Sequence, residues 1–431
     1  MEKIIIVECY SSAVNYIHDI RKLGFEPILL ELYVSGSERS KIREINDRVY
    51  TYNGDELPTV IMASESYNET IAVVRELSPV LILAGCDIGL ELAMRLSADL
   101  GLKGNPAENY EILRDKKSMQ DALQRADLRF IRTATISSEK DALDFYHSTS
   151  NRKVVIKLSR SAGSYCVFVC SSENEVIYAF HKTISCLGSR KREGEKVVIQ
   201  EYIEGEEYVV DTISCAGRHA ALFGMKYEKR FCKGFGMIYD TDLYISPDAP
   251  EMDKITEYVF KVLDCLGVQY GPVHTEVKID NNGPVLIEVN CRPAGVMQKY
   301  SFQDKVMQNH ETAAALDSYF MDREEFEAKY PRRMHLKQPA AVKQICLEKD
   351  IYVKKVRLNE CLSTLKSFEY VIDNGENCIY HKTVDLDSHG GMIYLTAPDE
   401  ETIKHDLEYI FELEKNGLDR LYDIDYSLTE G

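Results

Sequence analysis

The chain has 431 residues, more than one simple hydrophobic core accommodates, and this length indicates two to four domains or subdomains. It carries 70 acidic and 52 basic residues, a formal net charge of −18, which argues against a general nucleic-acid binder because phosphate backbones require clustered positive charge. An apolar content of 45% with 28% charged residues is typical of a soluble globular enzyme.

The cysteines and the N-terminus indicate a cytoplasmic protein. The 12 cysteines form no CxxC pair and no visible disulfide framework, which favours reduced, buried thiols. The N-terminus MEKIIIVECY lacks the basic start and the longer apolar stretch of a signal peptide. No apolar run approaches the ~18 residues that cross a bilayer, so we expect no membrane partner. A homodimer is the base-rate expectation for the oligomeric state.

The first hundred residues have the pattern of a parallel α/β unit. The predicted elements are strands at 3–7, 27–32 and 80–83 and helices at 11–23 and 88–100. The loop after the third strand is a candidate substrate contact near Gly85 or Glu91, because open α/β sheets bind ligands at the carboxyl ends of their strands. No G-x-G-x-x-G motif supports a dinucleotide site. A Gly/Pro-rich junction at 101–106 ends this unit.

Two lysines in the next part of the chain have different settings. A helix predicted over 107–125 contains Lys116 beside Lys117, a pattern that is typical of a solvated helix face. Lys157 instead lies inside the apolar strand KVVIKL, where a lysine is uncommon unless it is paired.

Polar segments follow the predicted strands of this region. The small residues of Ser159–Ser164 favour a mobile loop whose backbone N–H groups cover phosphates, although any tight hairpin has this composition. Residues 181–196 are predicted as a polar, basic loop. The acids at 204–207 either accept from ribose hydroxyls or are exposed turn residues, and Lys226 and Lys229 form a second local basic patch.

Residues 272–295, PVHTEVKIDNNGPVLIEVNCRPAG, predict two strands joined by a tight turn. The period-two alternation places Glu276 on the His274 face of the first strand and Glu288 on the Asn290 face of the second. If the hairpin pairs in register, two carboxylates and an amide oxygen converge. Such hard oxygen ligands suit one or two magnesium ions that also hold nucleotide phosphates.

Two interpretations of this hairpin stay open. In one, Arg292 lies close behind the metal ligands, where its planar fork reaches a phosphate. In the other, the segment is an ordinary hairpin with a solvated polar face.

The last hundred residues predict a small α+β unit after a linker at 331–339. The predicted elements are strands at 340–346, 351–357, 368–372 and 391–396 and a helix at 400–414.

Together these motifs resemble the ATP-grasp superfamily of carboxylate–amine ligases, and within it most closely the L-amino-acid ligases that make dipeptides, including ligases of peptide-antibiotic pathways. Four segments carry the resemblance in the family's order: LGLKGNPAENYEILRDKKSMQDAL, VVIKLSRSAGS, IQEYIEGEEYVVD and HTEVKIDNNGPVLIEVNCRPAG. The resemblance implies a multidomain α/β and α+β protein with an ATP-grasp fold. Its implied parts are an N-terminal parallel α/β domain at 1–104, a lid subdomain at 105–200, a large subdomain with the metal site at 201–330 and a C-terminal α+β domain at 331–431.

The resemblance also implies which residues bind ATP, namely Lys116, Lys157, Ser161, Gly163, Ser164, Glu201, Ile203 and Glu207. The two lysines would contact phosphates, and the serine–glycine loop would cover them. Glu201 would read the adenine edge with its backbone carbonyl and Ile203 with its backbone N–H, while Glu207 would bind the ribose.

A second implied set carries the chemistry. Glu276, Glu288 and Asn290 would hold Mg²⁺, two ions in the family pattern, with Mn²⁺ as a substitute. Arg292 would stabilise the transferred phosphoryl group and the anionic intermediate. His274 stands where D-alanine ligases have an arginine and many L-amino-acid ligases a histidine, which favours the latter. Either of the two lysines in the second basic patch would add a phosphate contact.

The implied reaction activates a carboxylate with the γ-phosphate of ATP and then lets an amine displace phosphate from the acyl phosphate. The expected partners are therefore a small-molecule carboxylate and amine, with amino acids favoured, and the expected products are an amide, ADP and phosphate. A biotin-carboxylase-like or purine-pathway enzyme of the same superfamily is one alternative. A non-catalytic nucleotide-binding module is another.

Overall fold

The structure, a computed structural model, describes residues 1–32, 46–47, 49–161, 163, 165–190, 194–232, 236–295 and 297–428. Within these ranges the strands form four β-sheets with helices packed against them. None of the helices described there combines the length and the apolar composition that crossing a bilayer requires.

The first sheet is parallel, as the sequence predicts. Its strands are β1 (Lys3–Val7), β2 (Glu26–Glu31), β3 (Thr59–Met62) and β4 (Leu81–Ala84), in the order β3-β2-β1-β4. Its helices are α1 (Asn15–Lys22), α2 (Tyr67–Leu77) and α3 (Leu90–Leu100). Ile4 and Ile6 belong to one hydrophobic core and Ile5 to another, because both faces of this sheet are covered.

The helix predicted over 107–125 is broken at Asp115. It consists of a short 3₁₀ turn followed by α4 (Tyr110–Arg114) and α5 (Lys116–Arg125). Asp115 has an extended backbone, and its carboxylate caps α5 by accepting from the backbone N–H groups of Lys117 and Ser118. The break makes Lys116 the first residue of α5 and turns its side chain into the protein, whereas Lys117 pairs with a surface aspartate.

The second sheet is antiparallel and small. Its strands are β5 (Thr133–Thr135), β6 (Val154–Leu158), β7 (Phe168–Cys170) and β8 (Val197–Glu201), in the order β5-β8-β6-β7. Helices α6 (Glu139–Ser148) and α7 (Glu173–Arg190) cover one face. The loop predicted at 181–196 is therefore wrong up to Arg190. Val176, Ala179, Phe180 and Thr183 are buried at helical spacing, and their packing outweighs the polar composition.

One cysteine prediction is also wrong. Cys166, between β6 and β7, is disulfide-bonded to Cys186 on α7, whereas the sequence favours reduced thiols. The nine other cysteines in the described part of the chain are free, and most of them are buried.

The third sheet has eight strands and forms the centre of the molecule. Its strands are β9 (Glu206–Cys215), β10 (Arg218–Cys232), β11 (Gly236–Tyr244), β12 (Gly271–Asp280), β13 (Gly283–Asn290), β14 (Ala340–Gln344), β16 (Phe368–Ile372) and β18 (Met392–Thr396). They lie in the order β13-β12-β9-β10-β11-β14-β18-β16. The helices of this region are α8 (Met252–Leu266), α9 (Tyr300–Val306), α10 (Glu311–Phe320) and α11 (Arg323–Lys329).

The C-terminal elements are close to those predicted, but three of their strands join the central sheet. β14 pairs with β11, so the sheet continues across residue 331, where the sequence places a domain boundary. A separate sheet of β15 (Ile351–Val356), β17 (Cys378–Tyr380) and β19 (Tyr422–Ile424) lies in the order β17-β15-β19. The remaining helices are α12 (Leu358–Leu362), α13 (Glu400–Asn416) and α14 (Leu418–Leu421).

A closed ring of four charges joins the central sheet to α13. Arg230 and Lys343 alternate with Asp240 and Glu414, and the four ion pairs of the ring have N–O distances of 2.5–2.6 Å. Lys343 is fully buried. The ring therefore fixes the hairpin of β10 and β11 to the last long helix of the chain.

We expect Glu414→Gln to lower the free energy of unfolding by about 3 kcal/mol, because it leaves the buried Lys343 ammonium with one carboxylate fewer. Glu369→Gln is the control, since Glu369 pairs with the exposed Lys305 and such pairs contribute at most about 1 kcal/mol. Denaturant unfolding of both variants checks this expectation. Equal losses in the two variants would contradict it.

Candidate active site

The hairpin of β12 and β13 pairs in the register that brings its polar residues together. Glu276 lies opposite Glu288, and His274 lies opposite Asn290. Because residues directly opposite each other in an antiparallel pair share a face, the two carboxylates and the amide converge as the period-two alternation predicts. All of these side chains except that of Glu276 are buried.

Glu288 is held as a carboxylate by two lysines. Its Oε2 lies 2.5 Å from Lys116 Nζ, and its Oε1 accepts from the Asn290 amide at 3.2 Å. Burial by itself would raise the pKa of Glu288, but the charges of Lys116 and Lys157 outweigh it and lower the pKa to about 2. The carboxylate is therefore charged at neutral pH.

His274 is held as a cation on the neighbouring side of the site. Its Nδ1 lies 3.0 Å from Asp211 Oδ1 on β9, and its Nε2 lies 3.1 Å from the Tyr227 hydroxyl and 3.7 Å from Glu276 Oε1. Burial opposes protonation, but Asp211 raises the pKa of His274 to about 10. Asp211 is not among the residues predicted from the sequence. The available signal was a charged residue inside the apolar run YVVDTI, which is the same signal that singles out Lys157.

Lys116 connects the hairpin of β12 and β13 to the loop that follows β6. Besides its contact with Glu288, its Nζ donates to the Ser161 carbonyl at 2.6 Å, and its backbone N–H donates to the Ser159 carbonyl at 3.0 Å. Ser164, a predicted loop contact, lies outside the described residues.

A cavity of about 620 Å³ lies between the small antiparallel sheet of β5 to β8 and the central sheet. Its lining includes Glu276 and Glu288 together with the predicted ATP-binding residues Lys116, Lys157, Ser161, Gly163, Glu201, Ile203 and Glu207. Apolar side chains complete it, among them Ile131, Val155, Val167, Val169, Met237 and Ile287. The cavity thus offers one apolar surface and one charged surface within the size range of small-molecule sites, about 300–1,000 Å³.

Lys226 and Lys229 both line this cavity but differ in how they are held. Lys229 Nζ lies 2.6 Å from Glu207 Oε1 and 4.2 Å from the centre of the Tyr239 ring. Burial opposes its charge, but Glu207 raises the pKa of Lys229. Lys226 pairs instead with the exposed Glu206. Of these two lysines, Lys229 is therefore the one whose ammonium group is fixed inside the cavity.

Lys157 leads to a prediction about pH. Burial and the charge of Lys116 lower the pKa of Lys157 to about 8, so in the ligand-free protein its ammonium group loses its proton above that pH. A bound diphosphate favours the charged form, and we therefore expect ADP to bind with proton uptake between about pH 8 and 9. Calorimetry in two buffers of different ionisation enthalpy measures this uptake. Lys157→Arg, which stays protonated, should abolish it. An absence of uptake in the wild type would contradict the expectation.

Arg292 is buried beside the cavity and is not part of its lining. Its Nε donates to Asp87 Oδ2 at 3.0 Å, in the loop after β4. The N-terminal sheet thereby contributes a residue to this site, as the position of the loop at the carboxyl end of a parallel strand predicts.

The oxygen ligands fit a divalent cation. Among the described residues, no cluster of three or more His, Cys, Asp or Glu side chains can hold a metal ion. The predicted set instead combines two carboxylates with the Asn290 amide, and such hard oxygen donors suit Mg²⁺. Because Lys116 already compensates Glu288, a bound cation would share that carboxylate with the ammonium group.

Residues 150–299 match the family model of the ATP-grasp domain. The chain therefore contains an ATP-grasp domain over these residues. The chain is 27% identical to the dapdiamide A synthase of Enterobacter agglomerans over 313 residues, which cover 70% of each chain.

Two solved structures share the fold of this chain. One is the L-amino acid ligase from Bacillus licheniformis, with a TM-score of 0.75, 16% identity and coverage of 96% of this chain and 97% of that one. The other is N5-carboxyaminoimidazole synthetase from Staphylococcus aureus complexed with ADP, with a TM-score of 0.68, 12% identity and coverage of 96% and 98%. The predicted ATP-grasp fold and the predicted likeness to carboxylate–amine ligases of the L-amino-acid type are confirmed.

Proposed function

We propose that this ATP-grasp enzyme joins the carboxylate of one amino acid to the amine of a second through an acyl phosphate, with release of ADP and phosphate. One observation carries the proposal. Glu276, Glu288 and Asn290 converge on one face, and the two carboxylates line the same cavity as Lys116 and Lys157. The similarity to dapdiamide A synthase supports an amide product.

The nucleotide would lie with its adenine on the apolar lining and its triphosphate toward the lysines. β8 ends at Glu201 and Ile203 follows two residues later, and both line the cavity, so that their backbone groups would face the adenine edge. Glu207 would receive the ribose, and Lys229, which Glu207 holds in the cavity, would contact phosphate.

The metal ligands would be Glu276, Glu288 and Asn290. When bound, Mg²⁺ would neutralise phosphate charge and orient the terminal phosphoryl group. The number of ions, two in the family pattern, and substitution by Mn²⁺ remain predictions. So do a cytoplasmic location and a homodimer.

The cations of the site offset the repulsion in the first step. The attacking carboxylate, the triphosphate and the moving phosphoryl group are all anionic. Lys116 lies at the start of α5, Lys157 lies on β6, and Arg292 follows the end of β13. These positive groups are held in place before substrate binds, so they stabilise the developing charge without reorganising.

The second step needs protection from water as well as an amine. An acyl phosphate is readily hydrolysed, and the loop at 159–164 would shield it by closing over the cavity. The contact between Lys116 and the Ser161 carbonyl gives that loop a fixed point beside the phosphates.

The proposal is tested by ADP release against a panel of paired amino acids, with product identified by mass spectrometry. We expect release that requires both an acid and an amine. Lys116→Met should reduce it by on the order of 10²-fold, because one preorganised charge is lost. The matched control is Lys117→Met, which changes the adjacent surface lysine and should keep wild-type activity. No release with any pair, from protein that binds ATP, would overturn the proposal.

A further inference from the structure

Arg292 is bound by a residue from a distant part of the chain. Its Nε and Nη2 each lie 3.0 Å from the same oxygen, Asp87 Oδ2, and its Nη1 donates to the Pro293 carbonyl at 3.0 Å. A guanidinium group has five N–H donors, so donors on Nη1 and Nη2 remain for a ligand. Asp87 therefore fixes one edge of the fork and leaves the terminal nitrogens available.

The loop that carries Asp87 is tightly seated between β4 and α3. A Cβ at Gly85 would lie 2.4 Å from the Glu8 carbonyl oxygen, and one at Gly89 would lie 2.5 Å from the Val7 carbonyl oxygen. Larger residues at these two positions would push the loop away from β1. Because both glycines allow close approach, the carboxylate between them has a defined place relative to Arg292.

The terminal nitrogens of Arg292 lie beside Gly295, a position without a side chain. A Cβ built at Gly295 would lie 3.8 Å from Nη2 and 3.9 Å from Nη1 of Arg292, and Gly295 is exposed. An anion next to the terminal nitrogens would therefore occupy the volume that the missing side chain leaves.

Asp87 keeps its negative charge in these surroundings. Burial would raise its pKa, but the guanidinium groups of Arg292 and Arg114 lower it. The pair is thus a charge-assisted contact, which has stronger directional preference than a neutral hydrogen bond.

We propose that Asp87 is the positioning residue that orients Arg292, so that the terminal nitrogens of the guanidinium group face the anionic reacting group of the carboxylate substrate beside Gly295. The inference rests on the proposed function. It adds that the N-terminal sheet sets the geometry of phosphoryl transfer through one aspartate, which the sequence analysis did not single out.

Steady-state kinetics of Asp87→Asn test the inference. We expect kcat to fall on the order of 10²-fold, because a misplaced reacting group costs this much, while the KM for ATP and the affinity for ADP stay unchanged. Glu76→Gln, an exposed acid-to-amide change on α2, is the matched control and should keep wild-type kinetics. A wild-type kcat in Asp87→Asn would overturn the inference.

A double-variant cycle separates positioning from general stability. The variant Arg292→Lys has no guanidinium group for Asp87 to orient. Adding Asp87→Asn to this variant should therefore cause little further loss of kcat. If the fold-reduction of kcat in the double variant equalled the product of the two single reductions, the inference would be overturned, because Asp87 would then act independently of Arg292.

The variant Gly295→Ala tests the same geometry without changing either residue of the ion pair. It provides the test if Asp87→Asn does not fold. Its methyl group would enter the proposed anion position and should raise the KM for the carboxylate substrate, with the KM for ATP unchanged. An unchanged KM for the carboxylate would overturn the inference.

If the wild type forms no amide at all, the proposed function fails together with the inference. If Arg292→Lys is impaired and Asp87→Asn is not, the inference alone fails.

Discussion

Glu288→Gln is expected to reduce amide synthesis by on the order of 10³-fold while the protein stays folded. The substitution keeps the shape of the side chain but removes a charge that faces Lys116 and the predicted metal position. Glutamine is a weak ligand for a hard cation, so the metal-dependent part of nucleotide binding should be lost as well. Coupled measurement of ADP release and of amide product checks the loss of turnover.

The substitution is also expected to change the affinity for ADP in a defined direction. Glu288 competes with phosphate for the two buried lysines. In the presence of a chelator, Glu288→Gln should therefore bind metal-free ADP at least as tightly as the wild type. With magnesium added, only the wild type should gain affinity. The control Glu257→Gln changes an exposed acid on α8 and should behave as wild type in both assays. Retained turnover in Glu288→Gln would contradict the metal assignment.

Arg292→Gln is expected to lower kcat by about 10²- to 10³-fold, the usual loss for one preorganised group that stabilises a developing anion. Its effect on nucleotide binding should be small, because Arg292 is not part of the cavity lining. Steady-state kinetics with ATP as the varied substrate check both statements. The control is Arg125→Gln, an exposed arginine at the end of α5.

An effect of the substitution on the KM for ATP in place of kcat would contradict this role. If Arg292→Gln raised the KM for ATP and left kcat unchanged, Arg292 would contribute to ground-state binding of the nucleotide instead of the transfer step.

The hairpin of β12 and β13 is the most predictable part of the candidate site, since strand periodicity fixes which side chains share a face. Glu276 and Glu288 alternate with apolar residues, and a strong turn sits between them, so the register followed once the strands paired. The contribution of Asp211 and Asp87 was not predictable in the same way. These residues are 63 and 205 positions from their partners His274 and Arg292, and no local pattern specifies such contacts.

Secondary structure failed where local composition and tertiary packing disagree. The polar sequence after residue 180 predicts a loop. α7 nevertheless continues there, because its apolar stripe packs on the small antiparallel sheet of β5 to β8. Asp115 was read as part of one helix, although its side chain caps a new one and thereby buries Lys116. The C-terminal strands were found, but a sequence does not show that β14 pairs with β11.

The central claim is that the enzyme phosphorylates a carboxylate with ATP before an amine attacks. Isotope transfer tests it most directly. A carboxylate substrate labelled with ¹⁸O in both oxygens is converted in the presence of ATP and the amine, and the released phosphate is analysed by mass spectrometry. The account predicts that one labelled oxygen appears in phosphate for each amide formed, because the acyl phosphate breaks at the bond between carbon and oxygen. Phosphate without label, with amide still being formed, would contradict it.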